Sequence, residues 1–139
     1  MITKNTFING TKNGMSVTWE LVKAIVPVYF VITFLKYTPV LETVAKIFEP
    51  AMKLFGLPGE ASLPIVLGLA LNLYFAIAAI VPLDLNSEQI TIIATMLLFC
   101  HSLFIETAVA KKTGIPVKGI LMTRGALAVG SGLLLNYIL

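Results

Sequence analysis

The 139-residue chain is too apolar for a small water-soluble domain. Hydrophobic residues make up 58% of it and charged residues 12%, and its mean hydropathy is +0.94, whereas an ordinary soluble domain has about 25% charged residues. A soluble protein of this length must cover a large surface with polar groups, so the composition predicts an integral membrane protein. The net charge of +3 comes from basic residues that lie mainly between apolar segments, a pattern that orients a chain in a lipid bilayer rather than binding nucleic acid.

The first apolar segment follows a polar N-terminal stretch. Residues 1–18 are rich in Asn, Gly and Thr and lack the apolar core of a signal peptide, so we expect a loose tail. From Trp19 to Tyr37 about 19 mostly apolar residues follow, enough to cross a hydrocarbon layer of roughly 30 Å. The two aromatic ends suit the membrane interfaces, and Pro27 could kink the helix between them.

The second segment, residues 39–55, is amphipathic. Its apolar side holds Leu41, Val44, Ile47 and Phe48, and its charged side holds Glu42, Lys46 and Glu49. The pattern predicts a helix lying in the membrane interface, and a helix packed on the other segments is the alternative. Pro50 could divide it into two pieces.

The third segment, residues 63–81, has two interpretations. It is long enough to span as one helix, but Pro64 and Gly68 weaken its first half and Asn72 lies near its middle, close to Tyr74. Two helices of about ten residues that meet at a polar tip near Asn72 would form a re-entrant hairpin, which is tolerable only where the tip is buried in protein or faces water.

Two further membrane segments complete the chain. The fourth runs from about residue 88 to 110, with Asn86 or Ser87 as its N-cap, and the fifth covers residues 118–139. The fifth carries small residues at the spacing of close helix contacts, namely Ala126 with Gly130 and Ala128 with Gly132. The predicted fold is thus all-α and polytopic, with three to four crossing helices, an interfacial helix and a re-entrant hairpin. The ten basic residues divide seven to three between the two sides of the membrane whether or not the third segment spans, so their number on each side does not choose between the two topologies. The more basic flank of the first helix favours a cytoplasmic N-terminus.

The fourth segment carries a polar stripe. At 100° per residue, its polar side chains fall within roughly 60° of arc: Glu88, Thr91, Thr95, Ser102 and Glu106. His101 flanks the stripe unless the helix is locally unwound. An ionisable group at the bilayer centre costs roughly 2.5–3.5 kcal/mol on insertion scales, so the stripe is expected to face protein or a watery cavity. Alternatively, Glu106 reaches the interface near Lys111 and Lys112, and the hydroxyls bond to carbonyls one turn back.

The polar groups of the third and fourth segments predict one solute site and no catalytic centre. The predicted substrate-binding residues are Asn72, Tyr74, His101, Ser102 and Glu106. Cys100, His101 and Glu106 do not make a metal site, because adjacent residues point apart on a helix and no second His or Cys exists. Nor does a hydrolase fit, because Ser102 directly follows His101 without a nucleophile elbow. We expect no enzyme activity, metal or cofactor.

Two stretches of the chain carry a family resemblance, and they read "GLPGEASLPIVLGLALNLYFAIAAI" and "LDLNSEQITIIATMLLFCHSLFIETAVAKKTG". They resemble the Gate, or nucleoside-recognition, domain family of bacterial membrane proteins, which includes the spore maturation proteins A and B. Concentrative nucleoside transporters and the membrane part of the ferrous-iron transporter B family are more distant members. The nucleoside transporters carry a Gln-Thr-Glu type motif at the hairpin tip, where this chain has "LNLY", so the resemblance does not specify the substrate.

The resemblance implies a single Gate-like domain over residues 19–139, in the bacterial inner membrane, with a re-entrant hairpin followed by an interrupted helix. Larger relatives pair two such units, inverted in the membrane, around a midplane site. The resemblance therefore implies half of a transporter for a small polar solute such as a nucleoside, which works with a second copy or a homologous chain. A scaffold or assembly factor that transports nothing, as among the sporulation proteins, is the alternative.

Overall fold

The computed structural model describes residues 4–139, and within that range every regular element is helical. The α-helices are α1 (Lys4–Lys36), α2 (Pro39–Lys53), α3 (Ser62–Ala70), α4 (Leu73–Ile80), α5 (Ser87–Cys100), α6 (Leu103–Lys112) and α7 (Val117–Ile138), and one 3-10 turn (Gly59–Ala61) precedes α3. Three segments of the described chain are long and apolar enough to cross a membrane: α1, α5 with α6, and α7. The predicted all-α polytopic membrane fold is confirmed.

Helix α1 starts much earlier than the sequence predicted. The expectation of a loose tail was wrong for residues 4–18, which form the first turns of a 33-residue helix; residues 1–3 lie outside the described range. Extending a helix adds one hydrogen bond per residue without a new nucleation step, so the apolar segment can carry its helix into a stretch of weak formers. Only the far end of α1 packs on the rest of the chain, where Val28, Ile32 and Leu35 meet Ala79 of α4.

Helix α2 is continuous through Pro50, so the predicted break is absent. Its residues divide among three directions rather than two. Leu41 and Met52 are buried in the core, whereas Ile47 remains 66% exposed, and the charged residues lie on a third side. An exposed apolar strip with charges opposite is the pattern of an interfacial helix, which stays a prediction for α2.

The third segment consists of two short helices, as the hairpin interpretation predicted. The chain leaves helical geometry at Leu71 (φ −109°, ψ −89°) and is extended at Asn72 (φ −163°, ψ 175°). A Cβ added to Gly68 would lie 3.1 Å from the Cβ of Ala76. Residues eight apart in a straight helix are separated by about 12 Å, so α4 folds back beside α3. Entry of this hairpin into the bilayer stays a prediction.

The core lies where α5 meets α3 and α7. Ile93 and Leu97 are almost fully buried, and Gly132 of α7 approaches α5 so closely that an added Cβ would lie 2.8 Å from Met96 Sδ. Ala128 is buried beside it. One of the two predicted small-residue pairs on α7, Ala128 with Gly132, is therefore a close helix contact inside the chain.

Candidate functional site

The long fourth segment is interrupted at His101 and Ser102. Helix α5 ends at Cys100 with a backbone bond from His101 N to Leu97 O of 2.8 Å, and His101 itself is extended (φ −61°, ψ 155°). Ser102 is left-handed (φ 51°, ψ 28°), and among residues 4–139 it is the one residue other than glycine with a positive φ. That conformation costs an L-residue roughly 1–2 kcal/mol, so contacts elsewhere must hold it.

One hydrogen bond joins the interruption to the hairpin. The amide of Ser102 donates to the carbonyl oxygen of Gly68 over 2.8 Å, and Gly68 lies in the last turns of α3. Gly68 can approach because it lacks a side chain: an added Cβ would lie 2.5 Å from Leu97 Cδ2. The interruption at His101–Ser102 is therefore tied to α3 about one turn before the chain leaves helical geometry at Leu71–Asn72.

At the hairpin tip, Asn72 is the N-cap of α4. Its Oδ1 accepts from Tyr74 N at 2.9 Å and from Phe75 N at 3.4 Å, which satisfies two of the free amides at a helix start. Within the described chain its Nδ2 has no partner, and the Tyr74 side chain is partly exposed. The tip thus offers an amide donor and a phenol on the hairpin that Ser102 contacts through Gly68.

Arg124 of α7 holds both ends of the broken helix, and sequence reasoning did not include it in the site. Its Nε donates to Phe99 O over 2.6 Å, its Nη2 donates to His101 O over 3.1 Å, and its Nη1 is ion-paired with Glu106. A cation suits the free carbonyls at the C-terminus of α5, and a carboxylate suits the first turn of α6. Arg124 was recognisable in principle: it is the sole arginine and lies inside an apolar helix, where a charge needs a partner.

His101 and Glu106 complete the polar cluster. The Nδ1 atom of His101 lies 2.9 Å from Leu97 O, so that nitrogen carries a proton, and Nε2 lies 3.9 Å from Glu106 Oε1. Side-chain exposure is 19% for Arg124 but 46% for Glu106. The cluster therefore presents polar groups at its open side.

The part of the polar stripe that lies on α5 does not face the interior of this chain, and the expectation that it faces protein or a watery cavity stays a prediction. Thr91 and Glu88 are exposed, and the hydroxyls of Thr91 and Thr95 donate to carbonyls one turn back, at 2.7 and 2.8 Å. The threonines thus follow the alternative interpretation. Glu106 does not, because it pairs with Arg124 rather than extending toward the lysines near the end of α6. The left-handed Ser102 turns α6 relative to α5 and divides the stripe.

The structure therefore brings His101, Ser102 and Glu106 together around Arg124, and it links them to the hairpin that carries Asn72 and Tyr74. A role for these five residues in binding a substrate stays a prediction.

Comparison with known proteins identifies a family, one relative that matches nearly the whole chain and one that matches less than half of it. Residues 18–116 match the family model Gate, described as "Nucleoside recognition". The chain is 46% identical over 135 residues to the uncharacterized membrane protein YvoD of Bacillus subtilis, covering 97% of this chain and 43% of that protein. It is 42% identical over 57 residues to the inner membrane protein YjiG of Escherichia coli K12, covering 40% of this chain and 37% of that protein. The matched part is less than half the length of either relative, and no solved structure matches this chain.

Proposed function

This chain belongs to the Gate, or nucleoside-recognition, family, and from that premise we propose that it is a non-enzymatic half-unit of a small-solute transporter in the bacterial inner membrane. Nucleosides are the first class of solute to test. The two relatives are named as membrane proteins, one of them as an inner membrane protein, and these names support the location.

The observation that carries the proposal is the hydrogen bond from Ser102 N to Gly68 O. It places two interrupted helical segments side by side, and discontinuous helices of this kind form the solute and ion sites of many secondary transporters. The beginnings of α4 and α6 bring positive dipole ends to the same region. Asn72 and Tyr74 would then form hydrogen bonds with the donor and acceptor groups of a solute. His101, Ser102 and Glu106 would lie on the opposite side of the solute, and Arg124 would position Glu106.

A second unit is part of the proposal. Glu106 is 46% exposed within a segment long and apolar enough to span, and a carboxylate facing acyl chains is unfavourable by a few kcal/mol. A second copy or a homologous Gate chain that covers this open side would both shelter Glu106 and close the solute site. YvoD is more than twice as long as the part of it that this chain matches, which agrees with the need for more chain than this.

Binding of nucleosides to the purified chain in lipid nanodiscs tests the proposal. We expect saturable binding of at least one purine or pyrimidine nucleoside, weakened at least tenfold by Glu106→Gln. The matched control is Glu49→Gln, which removes a carboxylate paired with Lys53 on α2 and is expected to change nothing. Monodispersity of each variant shows that it is folded. If the folded wild type binds no small polar solute or ion, the proposal is wrong.

The alternative function is a membrane scaffold or assembly factor. One observation favours it: Gly130 of α7 has no atom within 4 Å of an added Cβ and Ala126 is exposed, so this small-residue pair is open to another helix. Under this alternative Gly130→Leu abolishes complex formation and Glu106→Gln leaves it intact. The opposite pattern favours transport.

A further inference from the structure

We propose that the N-terminal arm of α1, residues 4–18, lies along the anionic headgroup layer of the membrane with its apolar side against the lipid. This interaction is separate from the solute site and does not depend on the proposed function.

The arm is exposed along its whole length within the part of the chain that the structure describes. Every residue from Lys4 to Glu20 is exposed, and α1 joins the core only from Val28 onward. The whole helix is about 50 Å long, whereas a hydrocarbon layer is roughly 30 Å thick. With the apolar segment from Trp19 in the bilayer, about 22 Å of helix remains outside it.

The exposed arm is amphipathic. At 100° per residue, Ile8 and Met15 of the arm and Trp19 just beyond it fall within about 40° of one another and form an apolar strip, whereas Phe7 and Val17 lie about 100° and 180° from it. A polar strip lies about 120° away and consists of Asn9, Asn13 and Ser16. Met15 is 71% exposed and Trp19 62%, so the apolar strip has no cover within the described chain.

A helix of this composition needs an external support. Asn and Gly are among the weaker helix formers, and the arm has them at Asn5, Asn9, Gly10, Asn13 and Gly14. Continuation from the membrane segment spares the arm a nucleation step but does not remove these unfavourable propensities. Contact between its apolar strip and another apolar phase would supply the missing stabilisation.

Lipid is the occupant that the geometry favours. The strip continues without a change of direction into Val26 and Phe30, which are exposed on the membrane segment itself and face acyl chains there. A helix that leaves the bilayer and bends toward its lipid-facing side places the same face on the membrane surface. Every residue from Lys4 to Glu20 is exposed, so no packed neighbour within the described chain prevents a bend near residue 18.

Charge identifies the kind of lipid. Residues 4–18 contain Lys4 and Lys12 and no acidic residue, and both lysines project near the edges of the apolar strip, where their heads can reach the headgroup phosphates. Parallel pairing of two arms would instead bring Lys12 of one copy near Lys12 of the other, which repels. The arm therefore fits an anionic lipid surface better than a second copy of itself.

Spin labels on the two faces of the arm test the proposal in the full-length chain. Met15→Cys and Asn13→Cys are made in a Cys100→Ala background and reconstituted in vesicles of phosphatidylcholine, with or without 30% phosphatidylglycerol (about a third anionic lipid, as a mimic of an anionic leaflet). With phosphatidylglycerol, we expect the Met15 label to be reached by oxygen from the lipid and shielded from a water-soluble nickel reagent, and the Asn13 label to show the reverse. In pure phosphatidylcholine, shielding of the Met15 label should fall at least twofold.

Three results would overturn the proposal: a Met15 label that stays open to nickel with anionic lipid, equal shielding in both lipids, or spin–spin broadening that shows two arms in contact. The double variant Lys4→Gln, Lys12→Gln should lose the dependence on phosphatidylglycerol. Its control, Lys46→Gln with Lys53→Gln on α2, should keep it.

Discussion

At the scale of single residues, Arg124 and Ser102 determine the site. Arg124 makes three polar contacts, two to carbonyls at the end of α5 and one to Glu106 at the start of α6. Ser102 takes the backbone conformation that lets these two ends separate. Neither role is visible in a helical projection, because both depend on residues far away in the sequence.

Replacing Arg124 should destabilise the broken helix. Arg124→Met removes the charge, frees two carbonyls and leaves Glu106 without its partner, and we expect a loss of about 2–3 kcal/mol in the free energy of unfolding. Thermal melting in detergent measures it. Arg124→Met combined with Glu106→Leu should lose less than the sum of the single variants because the pair is coupled; simple additivity would contradict the ion pair.

Substitutions at Ser102 should follow the demands of a left-handed residue. Ser102→Gly is expected to change stability little, since glycine adopts positive φ readily. Ser102→Val should destabilise by about 1–2 kcal/mol, because a β-branched residue is strained there. Equal melting temperatures for the two variants would mean that the interruption is not left-handed.

At the scale of elements, the sequence located one interruption and missed the cause of the other. A lone Asn in an apolar run marked the break at Asn72, because Asn is a good N-cap and a poor interior residue. The break at His101–Ser102 lies in a good helical sequence. It is held by contacts from Gly68 and Arg124, more than twenty residues away on either side. The local pattern therefore predicted only that His101 would join the polar stripe if the helix were unwound at that point.

Contacts or continuation beyond the local sequence also explain the early start of α1 and the unbroken course of α2. Residues 4–18 have the composition of a loose segment, yet they continue a helix already formed in the apolar part. Pro50 has the chemistry of a helix breaker, yet α2 continues through it and packs its far end, Met52, into the core. Propensity was a weak guide wherever packing or helix continuation decided the outcome.

A larger side chain should affect stability differently at the two small-residue pairs on α7. Gly132→Leu should destabilise the fold by about 1–3 kcal/mol, because an added Cβ already lies 2.8 Å from Met96 Sδ and Phe55 Cδ1. Gly130→Leu should leave the melting temperature of the monomeric chain unchanged, since the space around Gly130 is open. A large loss for Gly130→Leu in the monomer would place another part of the chain on that face.

At the scale of the whole molecule, the chain covers the polar site on one side only. The polar cluster is held firmly from α7 and the hairpin, but Glu106 remains almost half exposed. A transporter built from such units encloses its solute between two of them.

Solute binding should therefore depend on the number of copies. Nanodiscs that hold two chains are expected to bind a nucleoside at least tenfold more tightly than nanodiscs that hold one, because only two units close the site. Equilibrium binding on the two size-separated populations measures the ratio. Equal affinity would show that one unit forms a complete site and would remove the reason for a partner.

The bond between Ser102 and Gly68 also couples two movements. Because it joins α3 of the hairpin to the residue that begins α6, a displacement of α3 would be transmitted to the start of α6, where Glu106 pairs with Arg124. Coupling of this kind is reciprocal, so a solute bound at the hairpin and the pairing of Glu106 with Arg124 would each alter the other by the same free energy.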